Sequence, residues 1–248
     1  MIIRKSSAEL DRMARAGRIV QGCLHMLSEA AKPGVTTETL DRLAEDYIRG
    51  HGGTPTFKGY RDFPGSICAS LNDMVVHGIP DETSLVEGDI LGLDVGVTLD
   101  EFVADAALTV GIGRISVEAQ ALMDATRASL GKAIEQCVVG NRIGDISHAV
   151  QSFVEARGYS VVRSLVGHGV GRNMHEDPQV PNFGPAGRGP RLTEGTVLAI
   201  EPMINFGGHD VFVGSDGWAI YTTDGSLSAH FEHTVAVTAA GPRVLTGS

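Results

Sequence analysis

Ile90-Leu-Gly-Leu-Asp-Val-Gly-Val-Thr-Leu-Asp-Glu-Phe-Val-Ala-Asp-Ala-Ala-Leu-Thr-Val110 is an apolar run interrupted by two acids, Asp94 and Asp105. A chain reversal at Leu99-Asp100 sets residues whose numbers sum to 199 opposite each other in an antiparallel pair, and 94 and 105 meet that sum. Both carboxylates then project from one face. Directly opposed residues have Cβ atoms about 4.5–5.5 Å apart. Two ionised carboxylates that close, flanked by Val and Leu, repel each other unless a cation lies between them. A metal ion suits that place. The plainer alternative is an exposed hairpin whose acids solvate a sheet edge.

The 248 residues fit one large domain or two small ones, with ample material for a core. The formal charge of −10, offset by no basic cluster beyond Arg188 to Arg191, argues against a nucleic-acid surface, and buried acidic ligands can account for part of the excess. Cys23, Cys68 and Cys137 are odd in number, far apart and without C-x-x-C spacing, so neither a disulfide framework nor a thiolate zinc site is expected and the chain reads as cytosolic. No apolar run approaches the ~20 residues that span a bilayer, and Met1-Ile-Ile-Arg-Lys5 lacks the apolar segment of a signal peptide. No membrane partner is expected. Glycine, 32 residues and about twice its average share, points to many tight turns and strands.

Before the hairpin, Ser6-Ser-Ala-Glu9 has the form of a capping box, and Leu10, Met13, Gly17, Val20, Leu24 and Leu27 follow as one helix face. Thr36 or Thr37 caps a second helix with Leu40, Leu43, Tyr47 and Ile48 inward, ending at Gly50. Residues 66–76 read as strand with a turn at Asn72-Asp73. After the hairpin, 116–138 is helical, and Asp145 caps a fourth helix closed by Gly158. Strands fit 160–166, 196–204, 218–222 and 230–238. Two helices followed by strands, twice, predicts two related halves sharing a sheet layer in a single α+β domain over residues 1–248.

Three further stretches carry chemistry. Gly167-His168-Gly-Val-Gly-Arg-Asn-Met-His175 sets two histidines among small residues that let backbone and substrate approach closely, as a Gly-rich turn. It matches no phosphate-loop pattern. Thr196-Val-Leu-Ala-Ile-Glu201-Pro202 ends an apolar strand in an acid that the following proline biases toward extended backbone. Phe231-Glu232-His233-Thr-Val-Ala-Val places a fourth acid in an apolar strand. Each acid alone is unremarkable, yet four uncompensated charges in apolar settings would each cost several kcal/mol. Oxygen donors with one imidazole and no thiolate suit divalent Mn, Fe, Co or Zn without choosing among them. Four carboxylates carry about the charge that two such ions cancel.

Asp94 and Asp105 in the hairpin, His168 in Gly-His-Gly-Val-Gly-Arg, Glu201 in Ile-Glu-Pro-Met and Glu232 in Phe-Glu-His-Thr resemble the metal ligands of the methionine aminopeptidases. Asn72-Asp-Met-Val-Val-His77-Gly-Ile-Pro80 and His175-Glu-Asp-Pro178 resemble that family's two further histidine motifs. The resemblance runs from Ser6 through nearly the whole chain and is to the minimal type I form, since the short interval from Glu201 to Glu232 leaves no room for the type II insertion.

The resemblance implies the pita-bread fold, two pseudo-symmetric helix-helix-strand halves around an antiparallel sheet. It implies two divalent metal ions, with Asp105 and Glu232 bridging them, Asp94 completing one and His168 with Glu201 the other. By the same carry-over, His77 contacts the scissile amide nitrogen, His175 stabilises the oxyanion, and Glu201 shuttles the proton from a metal-bridging hydroxide. Phe57, Tyr60, Phe63, Cys68, Met174 and Trp218 stand at the positions of an apolar methionine pocket, with ordinary core packing as the plainer reading of each. The implied activity is removal of the N-terminal methionine from nascent polypeptides whose second residue is small. Transient ribosome contact stays open, and a monomer is the default assembly. A proline-directed peptidase of the same fold and a non-catalytic binding relative are the alternatives; the latter typically loses ligands that are all present here.

Overall fold

The computed structural model describes residues 1–247. Helix α1 (Ser7–Ala30) begins where the Ser6 hydroxyl accepts from the Glu9 backbone N–H and the Glu9 carboxylate accepts from the Ser6 N–H, the reciprocal capping box. Leu10, Met13, Gly17, Val20, Leu24 and Leu27 are all buried along it, as their spacing predicts. Helix α2 (Thr37–Gly50) is capped by Thr36, whose side chain accepts from the Thr39 N–H at 3.2 Å. Its buried stripe is Leu40, Ala44 and Ile48. Leu43, expected inward, is 39% exposed because the buried row advances in steps of four and leaves position 43 on its shoulder.

Strands β1 (Thr54–Pro55), β2 (Cys68–Leu71) and β3 (Met74–Val76) precede the long hairpin of β4 (Ile90–Leu99) and β5 (Phe102–Gly111). The hairpin forms, but its register differs from the expectation: Leu99 pairs with Phe102, Asp94 with Ala107 and Gly96 with Asp105, so paired numbers sum to 201. The turn is Asp100-Glu101, both at positive φ (48° and 69°), the two-residue geometry whose twist matches the strands. A slip of two keeps side chains on their face, since the strand period is two. Asp94 and Asp105 are therefore diagonal neighbours rather than directly opposed, and they still share one face.

The second half opens with α3 (Val117–Glu135) and α4 (Ile143–Glu155). Ser116 caps α3, which stops three residues short of the expected 138. Asp145 lies inside α4 rather than capping it; its carboxylate reaches back to the N–H of Arg142, the true N-cap, at 2.7 Å. The strands that follow are shorter than the apolar runs suggest. They are β6 (Ser160–Val161), β7 (Gly167–Gly169), β8 (Glu176–Val180), β9 (Val197–Ile200) and β10 (Met203–Asn205), then β11 (Val211–Val213), β12 (Ile220–Thr222), β13 (Ser228–His230), β14 (His233–Thr238) and β15 (Gly241–Val244). Among the described residues every strand pairing is antiparallel, distributed over four sheets. One sheet joins β3 of the first half to β12 of the second, so the halves share sheet structure.

The two halves are laced along β5 by three polar contacts at alternate residues. Asp105 N–H donates to Thr234 Oγ1 (2.9 Å) and that hydroxyl donates to the Asp105 carbonyl (2.8 Å). Glu232 N–H donates to the Ala107 carbonyl (2.8 Å). The Thr109 hydroxyl donates to the His230 carbonyl (2.8 Å), and the His230 N–H donates to Thr109 Oγ1 (3.0 Å). This seam carries Asp105 up to Glu232. Among the described residues no helix is long and apolar enough to cross a membrane.

Candidate metal centre

Local chain breaks place the two second-half acids. The strand expected over 196–204 is interrupted at Glu201-Pro202, where Pro202 has no N–H to donate to a ladder, and the strand expected over 230–238 is interrupted at Phe231-Glu232. Both acids thus sit just beyond the β9/β14 pairing, which ends at Ile200 against His233, rather than within strands as the apolar runs suggest. His168, expected in a Gly-rich turn, lies in β7 and pairs with Ala199 of β9. Its neighbours Gly167 and Gly169 are needed because an added Cβ at either would collide with backbone carbonyl oxygen of an adjoining strand.

Ligand atoms of Asp105, His168 and Glu232 all lie within 4.8 Å of one another, and all three residues are buried. His168 Nε2 is 4.0 Å from Asp105 Oδ2 and 3.6 Å from Glu201 Oε1. Asp94 joins from the hairpin, side chain to side chain with Asp105. His168 Nδ1 lies 2.9 Å from the Gly169 carbonyl oxygen, which only accepts, so Nδ1 carries the hydrogen and Nε2 presents a lone pair to the acids.

The electrostatics of this cluster call for a cation. Burial pushes Asp94 up to about 7 against a hydrogen bond with Asp105. Burial, then the neighbouring carboxylates Glu232 and Asp94, hold Asp105 well above the carboxylate range. Burial and neighbouring acids do the same for Glu201 and Glu232. His168 and His77 are each pushed down to about 4, first by burial and then by His175, so both imidazoles are neutral near pH 7. Asp94 Oδ1, Asp105 Oδ1 and Glu232 Oε1 are buried with no hydrogen-bond partner, and among the described residues no Lys or Arg pairs with any of the four carboxylates. Orphaned carboxylate oxygens beside a neutral imidazole fit a divalent metal ion.

The same cavity is lined by every residue expected in the substrate pocket. Phe63 meets Trp218 edge to face with ring centroids 5.1 Å apart, and Trp218 meets His77 edge to face at 6.5 Å. Cys68 pairs with Asp94 across β2 and β4; burial, then Asp94, keep its thiol protonated and apolar. Phe57 fits because Gly96 has no side chain: a Cβ there would lie 2.6 Å from the Phe57 ring. Met174 is buried against this cluster, and Tyr60 is half-buried at its rim. Tyr60 Oη is 2.9 Å from His175 Nδ1, and the His175 ring lies 4.2 Å from that of His168, centroid to centroid. His77 holds its place in left-handed backbone (φ 61°), a conformation that costs a non-glycine residue on the order of 1–3 kcal/mol and is typical of functional sites.

Sequence reasoning missed Arg61, Val76, Leu165, Val166 and Met203, which also line the cavity. Nothing in their spacing marks them. It also passed over His230, whose Nε2 is 4.0 Å from Glu201 Oε2. A signal existed there, because residues two apart in an extended segment share a face and His230 stands two before Glu232.

Residues 11–239 match metallopeptidase family M24. The chain is 52% identical over 246 residues to the methionine aminopeptidase of Clostridium perfringens, with 99% of each covered. It is similar to the crystal structure of methionine aminopeptidase from Thermotoga maritima at a TM-score of 0.98 and 41% identity, with 100% of both chains covered. Prolidase from Pyrococcus furiosus gives a TM-score of 0.81 at 18% identity, over 99% of this chain and 66% of that one. That last likeness is one of fold alone, and the shared fold is the pita-bread arrangement expected above.

Proposed function

The chain belongs to metallopeptidase family M24, and we propose that the cavity described above performs the reaction for which its methionine aminopeptidase relatives are named. It is a metal-dependent aminopeptidase that hydrolyses the first peptide bond and releases N-terminal methionine. The observation that carries this reading is the set of orphaned, buried carboxylate oxygens around His168 at the floor of an apolar cavity. New polypeptide N-termini are the substrate class. Three buried free cysteines fit a cytosolic setting. Because the acids come from both halves, residues 1–248 act as one catalytic unit.

Asp94, Asp105, His168, Glu201 and Glu232 would hold the metal. The charge of four carboxylates is about what two divalent ions would cancel, and these five residues would share in holding them. When bound, divalent ions lower the pKa of water toward neutrality and polarise the scissile carbonyl. The rest belongs to the protein. The methionine side chain packs among Phe57, Tyr60, Phe63, Cys68, Met174 and Trp218. If Tyr60 O–H donates to His175 Nδ1, the hydrogen of His175 is fixed on Nε2, which can donate to the oxyanion as it develops on the carbonyl. His77, half-buried and neutral, contacts the scissile amide nitrogen, and Glu201 passes that nitrogen the proton it needs to leave as an amine.

His77, His168 and His175 line the cavity beside the acids, and side chains there would exclude a bulky second residue by steric clash. Free methionine released from Met-Ala-Ser should exceed that from Met-Ile-Ser by about 10-fold or more, as a steric exclusion in a packed pocket gives. Equal release from both would remove the small-second-residue rule, and preference for a proline-containing peptide would favour the prolidase-like reading.

A further inference from the structure

His230 is a buried imidazole beside the centre that the scheme above does not use. It ends β13 with 4% of its surface exposed, and its Nε2 has no hydrogen-bond partner. That nitrogen faces Glu201 Oε2 at 4.0 Å, while Glu201 Oε1 faces His168 Nε2 at 3.6 Å. The carboxylate is flanked by an imidazole at each oxygen, only one of them among the expected ligands.

The backbone under His230 is fixed. Its N–H and carbonyl both close on the Thr109 hydroxyl, in the same seam that places Glu232 and Asp105. The lacing between the halves therefore fixes the Cα from which the ring projects. An imidazole carries at least one ring N–H, and the unpartnered Nε2 is the ring nitrogen turned toward Glu201. A buried nitrogen without a partner is rare in folded proteins and calls for one. Of the acceptors around it, Glu201 Oε2 is the atom it faces, and hydrogen bonds in such sites are often long before substrate is bound and shorten afterwards.

We propose that His230 is a positioning residue for Glu201: its Nε2–H holds Oε2, directly or through one water, so that Oε1 stays turned toward His168. This rests on the roles given to Glu201 above. Fixing one oxygen leaves the carboxylate a single productive orientation for holding the metal and for delivering a proton beside His77. It does for Glu201 what the Gly169 carbonyl does for His168.

The test compares His230→Leu, which keeps bulk and loses the donor, with His230→Gln, which keeps an N–H of similar reach. Metal-stripped protein is titrated with Mn by calorimetry, and kcat, KM and the pH profile of kcat are measured on Met-Ala-Ser. Partners of metal ligands typically contribute about 10–100-fold to metal affinity or activity. The Leu variant should lose that much in Mn affinity or in kcat with KM little changed, should move the acid limb of the kcat profile, and should melt like wild type. The Gln variant should recover most of the loss. Wild-type affinity and kcat in the Leu variant would overturn the proposal, as would equal impairment of both variants, which would make the role one of packing. Should the Leu variant not fold, His230→Asn, polar but too short to reach Oε2, takes its place with the same expectations. Absence of methionine release by wild-type protein with any metal would instead overturn the proposed reaction, and the calorimetric comparison would still decide the role of His230.

Discussion

Tyr60 Oη lies 2.9 Å from His175 Nδ1, with the two rings stacked at 5.6 Å between centroids. A phenol at that nitrogen holds the orientation of an imidazole whose ring also lies 4.2 Å from that of His168, centroid to centroid, and a phenol that donates there fixes its tautomer as well. The contact bridges a strained rim turn, with Arg61 and Asp62 both at positive φ, to the loop before β8.

Removing the phenol hydroxyl should therefore impair the chemical step more than binding. A hydrogen bond of this kind contributes about 0.5–1.5 kcal/mol, so Tyr60→Phe should lower kcat by about 2–12-fold with KM little changed. His175→Ala, which removes the proposed oxyanion donor, should lower kcat by about 10²–10³-fold. Steady-state kinetics on Met-Ala-Ser separates the two constants, and an effect on KM alone in either variant would contradict these roles.

Lys5 Nζ lies 2.6 Å from Glu176 Oε2, with side chains only 3% and 5% exposed. Glu176 follows His175 directly and also accepts from the N–H groups of Arg172 and Asn173, so this pair ties the N-terminal segment to the loop that carries His175. Breaking a buried pair from one side typically costs about 3–5 kcal/mol because the remaining charge is left uncompensated. Lys5→Met should lower the melting temperature by about 6 °C or more, read by calorimetry in metal-loaded protein; an unchanged melting temperature would remove the pair from the stabilising contacts.

Metal-free protein should lose stability as pH rises from 6.5 to 8.5. Asp94 (about 7), Asp105, Glu201 and Glu232 all have carboxyls raised above their ordinary values, so the native state binds more protons than the unfolded chain. Such groups stabilise fully below their unfolded values and lose that contribution as pH climbs through the folded ones. His77 and His168 (about 4) and His230 (about 3) act in the opposite sense, but their contribution is nearly complete by about one pH unit above their ordinary 6.5. Above that point the carboxylates act without opposition from them. Melting temperatures across this range should fall for metal-free protein and stay level with Mn present; parallel curves would show that the acids are not the metal ligands.

Much of this site was legible in the sequence, for reasons that can be traced to particular residues. Asp94 and Asp105 were placed on one face correctly although the register was off by two, because a strand's period of two forgives an even slip. The error came from the Asp100-Glu101 turn, which takes positive φ without the Asn-Gly or Asp-Gly that signals such turns. The break at Glu201 follows from Pro202, which has no N–H for a ladder and stands in plain view in the sequence. The break at Glu232 is tertiary: its N–H is used by the Ala107 carbonyl of the other half, a contact no local pattern announces. The lacing through Thr109 and Thr234 was invisible for the same reason, and with it the role of His230.

The most direct test of a metal held by the acid cluster is methionine release from Met-Ala-Ser by metal-stripped protein, before and after adding Mn, Fe, Co or Zn, in wild type and Asp105→Asn. Stripped wild type should be inactive and recover with at least one metal. Asp105→Asn removes a charge and an oxygen donor from the centre of the cluster, so it should fold, melt no lower than stripped wild type, and recover no turnover with any metal. Full activity in stripped wild type, or near-normal recovery in Asp105→Asn, would contradict a catalytic metal at this site.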